Sequence, residues 1–306
     1  MKRRELFHKS AAFGLMMAAV PSLAETAKEG SEPGTVLSPL TPPAQGAIPI
    51  AFLLSEGAVV IDFAGPWEVF ENVMVLGRKP DHPFRLYTVA ETTKPIRTSG
   101  GMKIVPDYTL ASAPPPKVIV IPAQSDPSDA VLEWIRKSAK TADMTMSVCT
   151  GAFPLAKTGL LSGKVATTHH AAYRELAMDF PEIRVRRGAR FVDGGNIATS
   201  GGLSSGIDLA LHVVERYYGR EVARNTAYQM EYQGTGWMNP DSNQVYLQAR
   251  TSTEAHPLCP VCWMDVDRGT AEKSAYRGKN YYFCMDAHKK RFDAAPDRFT
   301  ETAATR

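Results

Sequence analysis

An excess of charge is the first thing this sequence lacks. Thirty-five Lys and Arg stand against 32 Asp and Glu, a net of +3 over 306 residues. That balance gives no argument for a nucleic-acid partner, and no Lys/Arg-rich stripe follows the first few residues. Long apolar runs are missing as well. The continuous stretch near the start, Ala11 to Val20, falls well short of the roughly 20 residues that a bilayer requires, so stable membrane insertion is not expected. Cysteine is scarce, four in 306 residues, and all four fall in the two chemical arrangements described below.

The start of the chain reads as a targeting segment. Met1-Lys2-Arg3-Arg4 is basic, Ala11 to Val20 apolar, and Ser22-Leu23-Ala24 supplies small residues at the two positions a signal peptidase reads, which predicts cleavage after about Ala24 and a periplasmic protein. The Arg3-Arg4 pair is similar to a twin-arginine signal, with an ordinary secretory signal as the alternative. Residues 25–47, rich in Pro, Gly, Ser, Thr and Glu without a period, read as a flexible linker.

From Ile48 the pattern is that of an α/β domain, assigned to residues 48–233. Ile48 to Leu54 is an apolar run of strand length without alternation, which suits a strand buried on both faces. Strands are expected at Phe84–Val89, near Lys103–Val105 and at Val118–Ile121, with a helix at Asp129–Lys140. After these come Met144 to Cys149, Val165–Thr168, a helix from Ala171 to Phe180, strands at Ile183–Val185, Phe191–Val192 and Ile197–Thr199, and helices at Ser205–Tyr218 and Glu221 to about Tyr232. Strands alternating with helices imply a mostly parallel sheet flanked by helices, flavodoxin-like in outline, with a ligand crevice at the carboxyl ends of the strands.

Cys149 stands at such an end. A β-prone run, M-T-M-S-V-C, breaks at Thr150-Gly151 and passes into a helical pattern. A nucleophile elbow places a reactive side chain in this context, where a helix N-terminus favours thiolate; a buried, inert cysteine is the plain alternative. Asp62, in V-V-I-D-F-A-G-P-W-E-V-F, is expected just ahead of a helix with Pro66 in its first turn, either as a cap or as a site acid. His169 and His170 follow the Val165 strand. Adjacent strand side chains point apart, which argues against a metal-binding pair, and His212 on an apolar helix face reads as a packed core residue.

Three separated blocks, I-D-F-A-G-P-W-E-V-F, S-V-C-T-G-A-F-P-L-A-K-T-G-L-L-S-G-K-V-A-T-T-H-H and N-I-A-T-S-G-G-L-S-S-G-I-D-L-A-L-H-V-V-E, resemble the ThiJ/PfpI superfamily with its class I glutamine amidotransferase-like fold. The branch they resemble holds isonitrile hydratase and the sensing domains of AraC-type regulators. The resemblance implies that Cys149 is the nucleophile, that Asp62 lies beside its sulfur, that Thr150 supplies an N–H donor and a hydroxyl, and that His169 is near. It implies a small-molecule substrate, no cofactor at the cysteine site, and a homodimer. Asp62 acts there as base or as protonated hydrogen-bond donor. Relatives carry a Gly-Gly donor turn where this sequence has Pro122-Ala123-Gln124, so a peptide N–H of Ala123 or Gln124 has to serve.

Residues 234–254 read as a second linker and 255–301 as a small metal-binding module. Cys259-x₂-Cys262, then Cys284-x₃-His288 after twenty-one intervening residues, suits a closed tetrahedral zinc site, with copper(I) as competitor. The surrounding text resembles a YHS domain, related to TRASH modules. A Cys259–Cys262 disulfide is the alternative, and His256 reads as a module-edge residue. Two functional classes stay open: an exported isonitrile-hydratase-like enzyme with a metal module, or a periplasmic metal-handling, metal-sensing or redox stress protein with a non-catalytic scaffold. A metal donor or acceptor protein is a partner in the second.

Overall fold

The computed structural model describes residues 37–247 and 252–300. The segment read as a targeting signal and residues 25–36 of the first linker lie outside these residues.

The alternation seen in the sequence builds a seven-stranded sheet. In chain order the elements are β1 (Ile48–Leu53), α1 (Val60–Glu71), β2 (Phe84–Ala90), a ribbon of β3 (Ile96–Arg97) and β4 (Lys103–Ile104), β5 (Tyr108–Thr109), β6 (Val118–Ile121) and α2 (Asp129–Ala139). These are followed by β7 (Met144–Ser147), α3 (Ala152–Lys157), β8 (Val165–Ala166), α4 (Tyr173–Asp179), β9 (Arg184–Val185), β10 (Phe191–Asp193), β11 (Ile197–Ser200), α5 (Ser205–Tyr218) and α6 (Arg220–Gln229). The sheet order is β10-β11-β7-β6-β1-β2-β5. Every pairing is parallel except β10 with β11.

The non-alternating run of β1 now has its physical cause. Ile48, Ile50 and Phe52 enter one apolar layer together with α1, α5 and α6, while Ala51 and Leu53 enter a second layer with α2 and α3. Both faces are covered, so both sets of side chains must be apolar. Register then sets the crevice. Ser147 pairs with Ile121 on one side and Thr199 on the other, so the segments after β6, β7 and β11 leave the sheet side by side.

Two local expectations change. Asp62 is the third residue of α1, not ahead of it, and Pro66 lies in the helix interior. The helix can start early because its Val60 N–H is received by Ser99 Oγ at 3.0 Å, a partner 39 residues away, which leaves Asp62 free of any capping duty. His169 and His170 are not in a strand. They open the turn ahead of α4, with rings 4.2 Å apart, and His170 stacks on Tyr246 at 4.6 Å.

The segment read as a second linker is packed where it is described. Trp237 is buried in the α/β core, Pro240 O receives the Arg190 N–H at 2.6 Å, and buried Asn243 receives the Arg190 guanidinium at 3.3 Å.

The C-terminal module pairs β12 (Glu272–Tyr276) with β13 (Lys279–Phe283) and adds α7 (Asp286–Ala294) and α8 (Asp297–Thr300). Arg277 and Gly278 both take positive φ, 47° and 75°, the geometry of a tight hairpin turn. Its core is small: Val261, Val266, Phe283, Phe292 and Phe299 around the cysteines. It rests on α4. Arg174 donates to Pro260 O at 3.2 Å and Arg298 O at 2.6 Å, and Met178 packs against the module's core.

Candidate active site and candidate metal centre

Cys149 has φ 58°, the left-handed region that a residue with a Cβ rarely occupies. The backbone is held there from three sides. Val148 donates to Ile121 O at 2.9 Å, Cys149 donates to Gly201 O at 3.0 Å, and Thr168 Oγ1 donates to Cys149 O at 2.9 Å. Gly151 makes the elbow possible, since a Cβ there would lie 2.1 Å from Ile121 O. Gly206, at the start of α5, likewise lets the helix close on Val148, where a Cβ would fall 2.8 Å from its Cγ1.

Around the sulfur stand one acid and three donors. Asp62 is fully buried, its Oδ2 receives the Ala123 N–H at 3.1 Å, and its side chain lies close enough to the Cys149 side chain to interact with it electrostatically. Asp62 Oδ1 has no hydrogen-bond partner. The Thr150 N–H, the Thr150 hydroxyl and the Leu203 N–H all interact with Cys149 Sγ.

Electrostatics place the proton. Burial pushes Asp62 up to about 6 against the opposing bonds from Ala123 and Cys149. Burial and then the Asp62 charge push the Cys149 thiol up to about 12, outweighing the three donors. The thiolate expected from the elbow context is therefore not the resting form: desolvation in a buried pocket exceeds the donors' pull.

His169 packs on the turn whose Gly201 O receives the Cys149 N–H. Its ring lies over Gly202, where a Cβ would come within 2.2 Å of its Cδ2, and its Nδ1 accepts the Ala171 N–H at 3.2 Å. No hydrogen bond joins it to Cys149 among the described residues. Burial, and then His170, lower it to about 4, so it is neutral at physiological pH. The Ala123 N–H is spent on Asp62, so of the two peptide donors considered after Pro122 only Gln124 is left. Leu203, at φ 48°, was not legible as a site residue, because a backbone donor leaves no side-chain signature; the Gly201-Gly202 turn before it was the available signal. His212 is a structural residue, with Nε2 2.9 Å from Asp193 Oδ2.

The sequence resemblance is matched by comparison. The DJ-1/PfpI family matches residues 49–216, more than half of the chain. The chain belongs to the DJ-1/PfpI family. It is 33% identical over 191 residues to the isonitrile hydratase of Pseudomonas putida, covering 61% of this chain and 79% of that protein. It is 26% identical to the HTH-type transcriptional regulator CdhR of Pseudomonas aeruginosa, over 65% of this chain and 59% of the regulator. The crystal structure of a ThiJ/PfpI family protein from Pseudomonas syringae superposes with TM-score 0.55 at 26% identity, over 70% of this chain and 85% of that one. Residues 259–303 match the YHS domain.

In this DJ-1/PfpI chain the YHS domain gathers its four candidate ligands. One atom each of Cys259, Cys262, Cys284 and His288 lies within 4.8 Å of the others. His288 Nδ1 is 3.3 Å from Cys284 Sγ and 3.6 Å from Cys259 Sγ, and the sulfurs of Cys262 and Cys284 are 3.5 Å apart. A tetrahedron with metal–sulfur bonds of about 2.3 Å and metal–nitrogen of about 2.0 Å has edges of roughly 3.5–3.8 Å, so the donor set fits a metal of that size. All four cysteines are free, so the Cys259–Cys262 disulfide is not formed. The backbone prepares the site: the Cys259 N–H donates to Met264 O at 2.9 Å and the Trp263 N–H to Cys259 O at 2.8 Å, closing a knuckle in which Trp263 takes φ 61°.

Proposed function

We propose that this protein is an exported cysteine-dependent hydratase of the isonitrile-hydratase type, carrying a YHS module with a resident zinc or copper(I) ion. The observation that carries the reading is the pairing of Asp62 with Cys149 in one buried pocket, the carboxyl titrating near 6 and the sulfur ringed by donors from Thr150 and Leu203.

The chemistry follows from that pairing. Asp62 takes the thiol proton as sulfur attacks the terminal carbon of R–N≡C, and the proton passes to that carbon, giving a thioimidate, Cys149–S–CH=N–R. Water adds across C=N, placing hydroxyl on carbon and hydrogen on nitrogen. Collapse of this adduct releases R–NH–CHO and returns the proton to sulfur. The donors from Thr150 and Leu203 hold the sulfur while it carries charge, and burial keeps competing water away. Neutral His169, packed over Gly202, transfers no proton in this scheme.

The metal supplies folding free energy to a module too small to hold itself. Cys259, Cys262, Cys284 and His288 would bind it. Periplasmic export rests on the Met1–Ala24 segment. The test is formamide production from a simple isonitrile, which the wild type must show, Cys149→Ser must lack and Asp62→Asn must lose by about 10²- to 10⁴-fold.

One observation favours a second role, metal exchange. A cleft of about 250 Å³ lined by Asp265, Asp267 and Glu272 opens on Cys284, the most exposed of the three thiols. Transfer of metal to a chelator at a rate set by Glu272 or Asp267 would support it.

A further inference from the structure

The four candidate ligands all belong to the YHS module, yet the far side of the imidazole faces the other domain. His288 turns Nδ1 toward the sulfurs of Cys259 and Cys284. Its Nε2 lies 3.9 Å from Glu175 Oε2, and Glu175 is on α4 of the α/β domain. The other carboxylate oxygen, Oε1, pairs with Arg291. Arg291 pairs at the same time with Asp179.

The spacing explains the fit. His288 and Arg291 are three apart on α7, and Glu175 and Asp179 are four apart on α4, so each pair shares one helix face. Glu175 and His288 are largely buried, with 21% and 12% of their side chains exposed. A carboxylate in this setting needs partners. Arg291 satisfies Oε1, which leaves Oε2 presented to the imidazole N–H.

We infer that Glu175 is the outer-sphere positioning carboxylate of the metal site, so that the α/β domain and the YHS module share one metal centre. The inference rests on the metal-binding reading above. A metal on Nδ1 requires the imidazole proton on Nε2, and a carboxylate facing Nε2 fixes that tautomer, orients the ring and strengthens the nitrogen as a donor. Closing 3.9 Å to a hydrogen bond takes a movement of about 1 Å. The same helix already grips the module through Arg174 and Met178, so the carboxylate is set on a rigid support.

The experiment measures Zn²⁺ affinity of the full chain by competition with a chromophoric chelator, and records the Co²⁺ spectrum of each variant. Glu175→Gln is expected to weaken Zn²⁺ binding about 10- to 100-fold and to shift the Co²⁺ bands, as loss of an outer-sphere partner does. Asp179→Asn removes a docking pair without touching His288, and is expected to change affinity by less than about fivefold with an unaltered spectrum. Should Glu175→Gln not fold, Glu175→Asp, which keeps the charge but withdraws it from the ring, is expected to weaken binding by a lesser factor. Unchanged affinity in the Glu175 variants, or equal losses in Glu175→Gln and Asp179→Asn with identical spectra, overturns the inference while leaving the four-ligand site standing. A wild type that binds no Zn²⁺, or a Cys259→Ser variant that binds as the wild type does, overturns the four-ligand site as well.

Discussion

The carboxyl of Asp62 and the thiol of Cys149 are buried against each other, and burial raises the carboxyl to about 6 while burial and the Asp62 charge raise the thiol to about 12. Of the two roles open to an acid beside a thiol, this ordering favours the base. Isonitrile turnover is therefore expected to fall as pH drops below about 6 and Asp62 takes up its own proton. Asp62→Asn should lose this limb of the kcat/KM profile together with about 10²- to 10⁴-fold in rate. A variant that keeps the limb places the titrating group elsewhere.

The same carboxyl has a cost in stability. Its folded value, about 6, lies above its ordinary value of 3.8, so the folded state holds the proton more tightly than the unfolded one. Stability from this group is complete in acid and is lost as pH rises from about 4 to about 6. Asp62→Asn removes the loss and keeps an acceptor for the Ala123 N–H. Denaturant unfolding should show the variant gaining on the wild type between pH 3 and pH 8, by at most about 3 kcal/mol. A difference independent of pH would mean that the carboxyl titrates alike in the folded and unfolded chains, so that burial does not raise it.

Gly151 should tolerate no side chain. An alanine Cβ would stand 2.1 Å from Ile121 O and 2.8 Å from Pro122 O, both backbone atoms that cannot swing away. Gly151→Ala is expected to cost about 1–3 kcal/mol or more and to displace the Cys149 elbow. Gly159→Ala is a control for turn glycines with open space, strained only by its φ of 82°. Chemical denaturation of the two variants separates crowding from φ.

Removal of the metal should act on the module first. Its core holds few apolar side chains around Cys259 and Cys262. Cys259→Ser or a strong chelator is expected to take bound metal from about one to about zero per chain and to abolish the module's thermal transition. The α/β transition should remain. Elemental analysis with calorimetry reads both, and metal content unchanged in Cys259→Ser would exclude this donor set.

Much of the architecture was legible because its physical cause is local. β6 and α5 fall where the apolar run Val118–Ile121 and the 3.6-residue period of Ser205–Tyr218 put them. Cys149 and the Cys₃His quartet were legible because thiols at an elbow or at short spacings have few other uses. What escaped depends on distant partners. Ser99 caps α1 from outside the helix, so the sequence around Asp62 gave the wrong start. Glu175 reads as an ordinary solvated helix residue until α7 is brought against it. The Leu203 N–H carries no side-chain signal, and whether donors or desolvation win at Cys149 is a balance that spacing cannot express.

Formamide release from a simple isonitrile by purified full-length protein tests the central claim most directly, read together with intact mass of the protein during turnover. The wild type should form product and carry a transient adduct of the isonitrile's mass on Cys149, while folded Cys149→Ser forms neither. Product at wild-type rate from Cys149→Ser, or none from a folded, metal-loaded wild type, would contradict it.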